Sequence, residues 1–425
     1  MTNPQQTTRR QFLRTSMLGG ALSWSVPGFL SGTFDHLHAQ TAASSVQPVT
    51  GKEGRILVVL QLAGGNDGLN TVVPFTDDHY HRARPKLRLD PGKILRLNDE
   101  VGLAPSLDSL KAIYDEGRAT IVQGVGYPNP NRSHFRSTEI WHTATDADRT
   151  AREGWIGRYF DNACQGEDAR VGIAISRQSP QAFANQGSKG ISLQNPANLG
   201  ADEADSEMMG AGDSVTDAPG MPAQASRSLD FLERVSLDAR VSSDQIQQIM
   251  ASARNQVSYP GNPLARDLSF IGRMIGGGMP TRIYYVSQGG FDTHRNQQGA
   301  HERLLGQFGT AIQAFLRDLE AQGNLDRVVV LTFSEFGRRV AENASGGTDH
   351  GAAAPLFLFG GGLQAGLTGQ APSLAPQDLA GGDLKHHLDF RSVYASLLDQ
   401  WLEVAPAATN GILGRSFVRM PLIAG

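Results

Sequence analysis

Five acidic and imidazole side chains stand in glycine-rich loops that each border an apolar run. Asp67 lies in Gly64-Gly65-Asn66-Asp67-Gly68. Asp292 and His294 lie in Gly289-Gly290-Phe291-Asp292-Thr293-His294, Glu335 in Ser334-Glu335-Phe336-Gly337-Arg338, and His350 in Gly346-Gly347-Thr348-Asp349-His350-Gly351. Carboxylates and imidazoles without thiolates are ligands for a divalent cation, with Zn²⁺ or Mn²⁺ ranked ahead of Mg²⁺ or Ca²⁺. Glycines beside them let the backbone approach an ion closely. Each residue also has a plainer reading. Asp67 suits a turn, Glu335 could pair with Arg338 or Arg339, and His350 could be an ordinary loop histidine. The recurrence of ligand-type side chains in four separate loops carries the metal reading, and all five are expected in one pocket.

A nucleophile is also available. Ser133, in Asn131-Arg132-Ser133-His134-Phe135-Arg136, follows one apolar run and precedes residues 137–144, which can be helical. At a helix N-terminus, amide groups and the dipole favour an anion. Arg132 and Arg136 could then hold the oxygens of a phosphate or sulfate. The competing role for Ser133 is a simple N-cap. His134 and His142 suit ligand, packing and capping roles alike.

These loops need a scaffold. Residues 55–62, 119–124, 171–176, 281–287, 327–333 and 356–359 are β-branched and leucine-rich runs, as expected of strands buried on both faces. Residues 229–249 and 263–275 read as helical, Leu304 through Leu319 mark an amphipathic helix, and 390–402 a closing one. Strands alternating with helices predict an α/β fold with a mostly parallel sheet covered on both faces. In such sheets, ligands collect beyond the carboxyl ends of the strands. Residues 54–425 are expected to form one domain. Residues 201–226, with six acids and no Lys or Arg, predict a disordered acidic loop within it.

Composition narrows the partners. With 38 basic and 42 acidic residues the formal charge is −4, and no basic arm marks a nucleic-acid footprint. The single cysteine, Cys164, excludes an internal disulfide and a thiolate metal cluster. Arg9-Arg10-Gln11-Phe12-Leu13 precedes residues 15–32, which carry no charge. This pattern reads as a twin-arginine signal peptide over residues 1–39, followed by a flexible tether over 40–53. The glycines and Pro27 of that uncharged stretch make it a poor membrane span. The expected location is periplasmic or otherwise exported, with the twin-arginine translocase as partner during export and no stable membrane span after cleavage.

Together, Thr8 to Arg14, Gly64 to Gly68, Asn131 to Phe135, Gly290 to His294, Ser334 to Arg338, Thr348 to Gly351 and Asp389 to Tyr394 resemble the exported bacterial domain-of-unknown-function 1501 family. That family is grouped with the alkaline phosphatase and sulfatase superfamily. The resemblance implies an alkaline-phosphatase-like α/β sandwich with metals at the strand ends. It puts Asp67 at the first-strand metal ligand and Ser133 at the nucleophile. Asp292 and His294 fall on one metal, Glu335 at a later acidic ligand, and His350 at the last histidine. The chain also departs from those enzymes. Phe336 follows Glu335 where they carry a histidine, Asp292 and His294 are two residues apart and not four, and the sulfatase Cys/Ser-x-Pro-x-Arg pattern is absent.

The expected activity is metal-dependent hydrolysis of an anionic phosphate, sulfate or related ester, small or polymeric. The alternative is a non-catalytic exported binding or assembly protein with a degenerate site. A Ser-His-Asp esterase is a third reading, but no Gly-x-Ser-x-Gly surrounds Ser133.

Overall fold

A computed structural model describes residues 54–164, 169–176, 178–186, 190–193 and 246–424. The signal-peptide segment, the tether up to residue 53, the acidic stretch 201–226 and most of the helix expected over 229–249 lie outside these residues; 246–252 are helical.

The strands of the main sheet are β1 (Ile56–Leu62), β2 (Ala119–Gly126), β3 (Gly172–Ile175), β4 (Ile191–Leu193), β5 (Ile283–Gln288) and β6 (Val328–Phe333). After β6 comes a small hairpin of β7 (Arg338–Glu342) and β8 (Thr348–His350), then β9 (Ala354–Gly360), β10 (Gly366–Gly369) and β11 (Leu388–Asp389). The nine strands of the sheet run in the order β10-β2-β9-β6-β1-β5-β3-β4, with β11 also on β2. Every pairing is parallel except those of β9, which is antiparallel to β2 and β6. The mixed α/β fold with a large, mostly parallel sheet is therefore the one expected.

β1 sits at the middle because all seven of its residues are apolar or buried. Its alternate side chains serve two cores. Ile56, Val58, Leu60 and Leu62 face α5 (Pro263–Gly276) and α6 (Gln297–Ala321), while Leu57 and Val59 face α3 (His134–Thr143), α4 (Trp155–Ala163) and α7 (Phe390–Ser396). Two helices come before these in the chain, α1 (Asp78–Ala83) and α2 (Asp108–Asp115), and α8 (Pro406–Leu413) follows them. The stripe Leu304, Leu305, Phe308, Ile312, Phe315 and Leu319 on α6 is buried, as the sequence periodicity requires. The closing helix ends earlier than expected: α7 stops at Ser396 and Leu397–Trp401 form a π-helical turn.

This topology sets the functional edge. β5, β1 and β6 are adjacent and parallel, so the loops after all three open on one side. β9 runs the other way and begins on that side, so the residues preceding it, including His350, reach the same edge.

One buried group ties the fold to pH. His142, near the end of α3, is buried and hydrogen-bonded through Nε2 to the Tyr285 hydroxyl at 2.9 Å. Burial lowers its pKa to about 4 from the ordinary 6.5. The unfolded chain therefore binds this proton more tightly than the folded one. The stability that neutral His142 confers is present above pH 6.5 and is lost as pH falls from there toward 4. Urea titrations across that interval should show His142→Gln flattening the pH slope of unfolding free energy by up to about 1.4 kcal/mol per pH unit. An unchanged slope would mean that His142 titrates alike in both states.

Candidate metal centre at the strand ends

Asp292 is the hub. It follows β5, and its Oδ1 lies 3.0 Å from His294 Nε2 and 3.1 Å from His350 Nε2. Its Oδ2 lies 3.5 Å from His134 Nε2. The two imidazole nitrogens of His294 and His350 stand 2.9 Å apart. His134, Asp292 and His350 each offer a ligand atom within 4.8 Å of the others, a three-residue group that could hold a metal. Ligand atoms on a tetrahedral ion with bonds of about 2.0–2.1 Å stand roughly 3.3 Å apart, close to the spacings seen here.

The far nitrogen of each imidazole has its own acceptor. His134 Nδ1 faces Glu335 Oε1 at 2.8 Å, His294 Nδ1 faces Asp349 Oδ1 at 3.4 Å, and His350 Nδ1 faces the Arg132 carbonyl at 2.7 Å. With these acceptors taking the Nδ1 proton, Nε2 is the atom each ring turns to the cluster, a ligand lone pair where bare and a donor where protonated. Ligating histidines are oriented by such partners. The nitrogens of His294 and His350 cannot both carry a proton at their separation, so at least one lone pair is bare toward Asp292.

Charge in the cluster is fixed from behind. Partial burial would raise the Asp292 pKa, but hydrogen bonds from His350 and Arg338 outweigh it and hold the carboxyl at about 2. Arg338, with no exposed side chain, donates to Asp292 Oδ1 at 2.8 Å. It also donates to the carbonyls of Gly65, Thr348, Phe291 and Gly64. Glu335 Oε1 accepts from the Gly64 amide at 2.8 Å as well as from His134, while its Oε2 is buried without a partner. Gly64 and Gly65 have φ of +116° and +76°. A Cβ on the first would run into the Asp292 amide nitrogen, and on the second into the Phe336 ring, so the loop after β1 can pass beneath the site only as glycine.

The structure brings Asp292, His294 and His350 together, with Glu335 behind His134. Asp67 is not among them. Its carboxylate has no exposure and meets Arg84 at 2.6 Å, and Gln297 donates to the same oxygen. Burial would raise the Asp67 pKa, but the adjacent Arg84 overcomes this and keeps it below the usual carboxylate range. Asp67 thus neutralises a buried arginine from the end of α1 and is not part of the three-residue ligand group.

The two arginines expected to clamp an anion are also engaged elsewhere. Arg132 grips Asp383, with Nε at 2.9 Å. Arg136 pairs with Glu139 at 2.6 Å and donates to carbonyls of the loop after α3, at Asp146, Ala147 and Arg149. Ser133 is the N-cap of α3; it is exposed, and its hydroxyl makes no capping bond. His134 is therefore the residue whose role the sequence left open. Its position directly after Ser133, at the first turn of α3, was the available signal. Phe336 is buried, its ring centroid 4.9 Å from that of His134 and 4.4 Å from that of His350.

Comparison with solved structures gives low similarity over much of the chain. A protein in the alkaline phosphatase superfamily from Vibrio parahaemolyticus is 9% identical, with a TM-score of 0.39, covering 90% of this chain and 77% of that one. Alkaline phosphatase from the Antarctic bacterium TAB5 is 12% identical, with a TM-score of 0.36, over 76% and 95% of the two chains. The C-terminal periplasmic domain of EcEptC from Escherichia coli, in complex with Zn, is 9% identical, with a TM-score of 0.32, over 72% and 73%. No curated protein matches the sequence. No helix among the described residues is long and apolar enough to cross a membrane. Residues 54–412 match a family described as "Protein of unknown function (DUF1501)", and the chain belongs to that family.

Proposed function

We propose that this chain is an exported, metal-dependent hydrolase of a phosphate, sulfate or related ester, with His134, Asp292 and His350 as its ligand core and His294 beside them. The observation that carries this reading is the common orientation of three imidazoles, each tethered at Nδ1 and turned through Nε2 toward one carboxylate. Imidazole nitrogens with a carboxylate oxygen suit Zn²⁺ or Mn²⁺ better than Mg²⁺ or Ca²⁺. Such an ion, when bound, supplies Lewis-acid stabilisation of charge on the transferred group.

The chain's own residues supply the rest. Glu335 and the Arg132 carbonyl orient His134 and His350. Arg338 keeps Asp292 ionised, and Phe336 excludes water from one side of the imidazoles. Ser133, exposed and free of a capping bond, is the nucleophile this reading assigns. Phe336 also favours a second reading, a non-catalytic exported binding or assembly protein, because an apolar ring follows Glu335 where the resemblance leads one to expect a further ligand.

Elemental analysis of protein from its native host should find bound metal that His350→Ala and Asp292→Asn lose. Glu335→Gln should weaken metal affinity by about 10–100-fold through the freed His134 ring. Ser133→Ala should retain the metal and lose turnover of an aryl phosphate or sulfate ester by on the order of 10³-fold or more. Wild-type protein that binds metal yet turns over no ester in a broad panel supports the binding reading. Wild-type protein without metal overturns the metal assignment.

Asp67 gives a contrasting variant. Asp67→Asn leaves Arg84 buried without its counter-charge and should cost about 3–5 kcal/mol of stability. Its metal content should match wild type, as measured by denaturant titration beside elemental analysis. Loss of metal from a folded Asp67→Asn protein would return Asp67 to the ligand set.

Export by the twin-arginine translocase rests on Arg9 and Arg10 ahead of an uncharged stretch. Replacing both with Lys should hold the precursor in the cytoplasm, as followed by cell fractionation. Undiminished periplasmic recovery would rule that route out.

A further inference from the structure

A cavity lies at the opposite end of α3 from His134, roughly 15 Å along the helix for ten residues. Its volume is about 370 Å³, within the range of small-molecule pockets, which begins near 300 Å³. Four guanidinium groups line it: Arg149 from the loop after α3, Arg158 from α4, Arg391 from α7 and Arg415 from beyond α8. Among the described residues Asp146 is the only acidic one on its wall, and Asp389 chelates Arg391 from behind. Positive charge therefore exceeds negative by two.

The local partners show which charges are committed. Arg391 has a 2% exposed side chain and meets Asp146 Oδ1 at 2.6 Å, and Arg415 reaches the same oxygen at 3.1 Å. Both guanidinium groups lie over the Phe417 ring, at 4.8 and 4.9 Å. Arg158 donates to the carbonyls of Thr143, Glu153 and Ile412, and so caps the C-terminal ends of α3 and α8. No carboxylate among the described residues pairs with it; only the more distant Glu153 charge acts on it, and burial lowers its pKa. Two of its five N–H donors remain unused. Arg149 is exposed, and its guanidinium makes no hydrogen bond or ion pair among the described residues, though its charge acts on Asp146. The wall is built and not draped: Arg136 and Thr145 hold carbonyls of the 146–149 loop, and the Arg149 amide closes it onto the Asp146 carbonyl at 3.0 Å.

The geometry points to a second ligand site here, for a compact multivalent oxyanion: a small molecule bearing phosphate or carboxylate groups. Planar guanidinium forks match such groups through paired N–H bonds. Arg149, Arg158 and Arg415 supply the free donors, with Arg391 held rigid beneath them. This site is independent of the metal centre and of any hydrolytic activity there.

Isothermal titration of the full chain with pyrophosphate, inorganic phosphate and citrate, at constant ionic strength, tests the proposal. Wild-type protein should bind at least one of the three. Arg149→Gln/Arg415→Gln should weaken that binding at least tenfold, and His350→Ala should leave it unchanged. Pyrophosphate ahead of citrate marks a phosphoryl ligand, and the reverse order a carboxylate one. Arg149→Gln alone, at an exposed and unpaired side chain, guards against misfolding of the double variant and should also weaken binding. No binding of any probe by wild type, equal binding by the arginine variants, or loss of binding in His350→Ala alone would each overturn the assignment.

Discussion

The functional edge depends on one buried cation. Arg338 donates to four carbonyls and one carboxylate, and these acceptors belong to two loops and a strand: the loops after β1 and β5, and β8, which ends in His350. A guanidinium is suited to this because its donors fan out in a plane and it does not lose its charge. Lysine would present its donors from a single point and could not span the same loops. The Phe291 carbonyl also accepts from the Thr293 amide, and a buried carbonyl that lost its Arg338 donor and gained no other would cost about 1–3 kcal/mol. The same group that closes the loops also fixes the sign of Asp292. Architecture and electrostatics at this edge are one interaction.

Helix α3 carries that organisation sideways. Ser137 Oγ and Trp141 Nε1 both donate to the Glu335 carbonyl, so the helix is locked to the loop after β6. Trp141 is stacked between Phe333 and Phe390, at 5.2 and 4.1 Å. The His134 ring thus has its position set by a buried aromatic stack two turns away, in addition to its own bond to Glu335. The other end of the helix forms part of the arginine-lined cavity. A single rigid element therefore borders two chemically different places.

Most of the scaffold could be read in the sequence because it is written in local patterns. The runs at 55–62, 281–287 and 327–333 are continuous enough to identify buried strands, and parallel neighbours necessarily gather the loops that follow. That reasoning reaches Asp292, His294, Glu335 and His350 as neighbours. It fails at Asp67 because the partner that claims its carboxylate, Arg84, ends a short helix whose approach is decided by tertiary packing. The same holds for Arg136, whose side chain turns to carbonyls 10 to 13 residues on in the chain. His134 has three readings in sequence, as ligand, packing group or cap. Only the placement of Glu335 Oε1 behind its Nδ1 shows which way the ring is turned.

The central position of β1 has a kinetic consequence. Leu57 pairs with Ile283 and Ile56 with Val328, so the first strand of the sheet waits for partners made more than 200 residues later. At ribosomal speeds of about 5–20 residues per second, that gap lasts on the order of ten to fifty seconds. During that time β1 is an unpaired hydrophobic edge, and long-range parallel pairing is slow to close even when the partners exist. The nascent chain is therefore most exposed to aggregation before its last third emerges, and chaperone occupancy over residues 56–62 during synthesis follows from strand order alone.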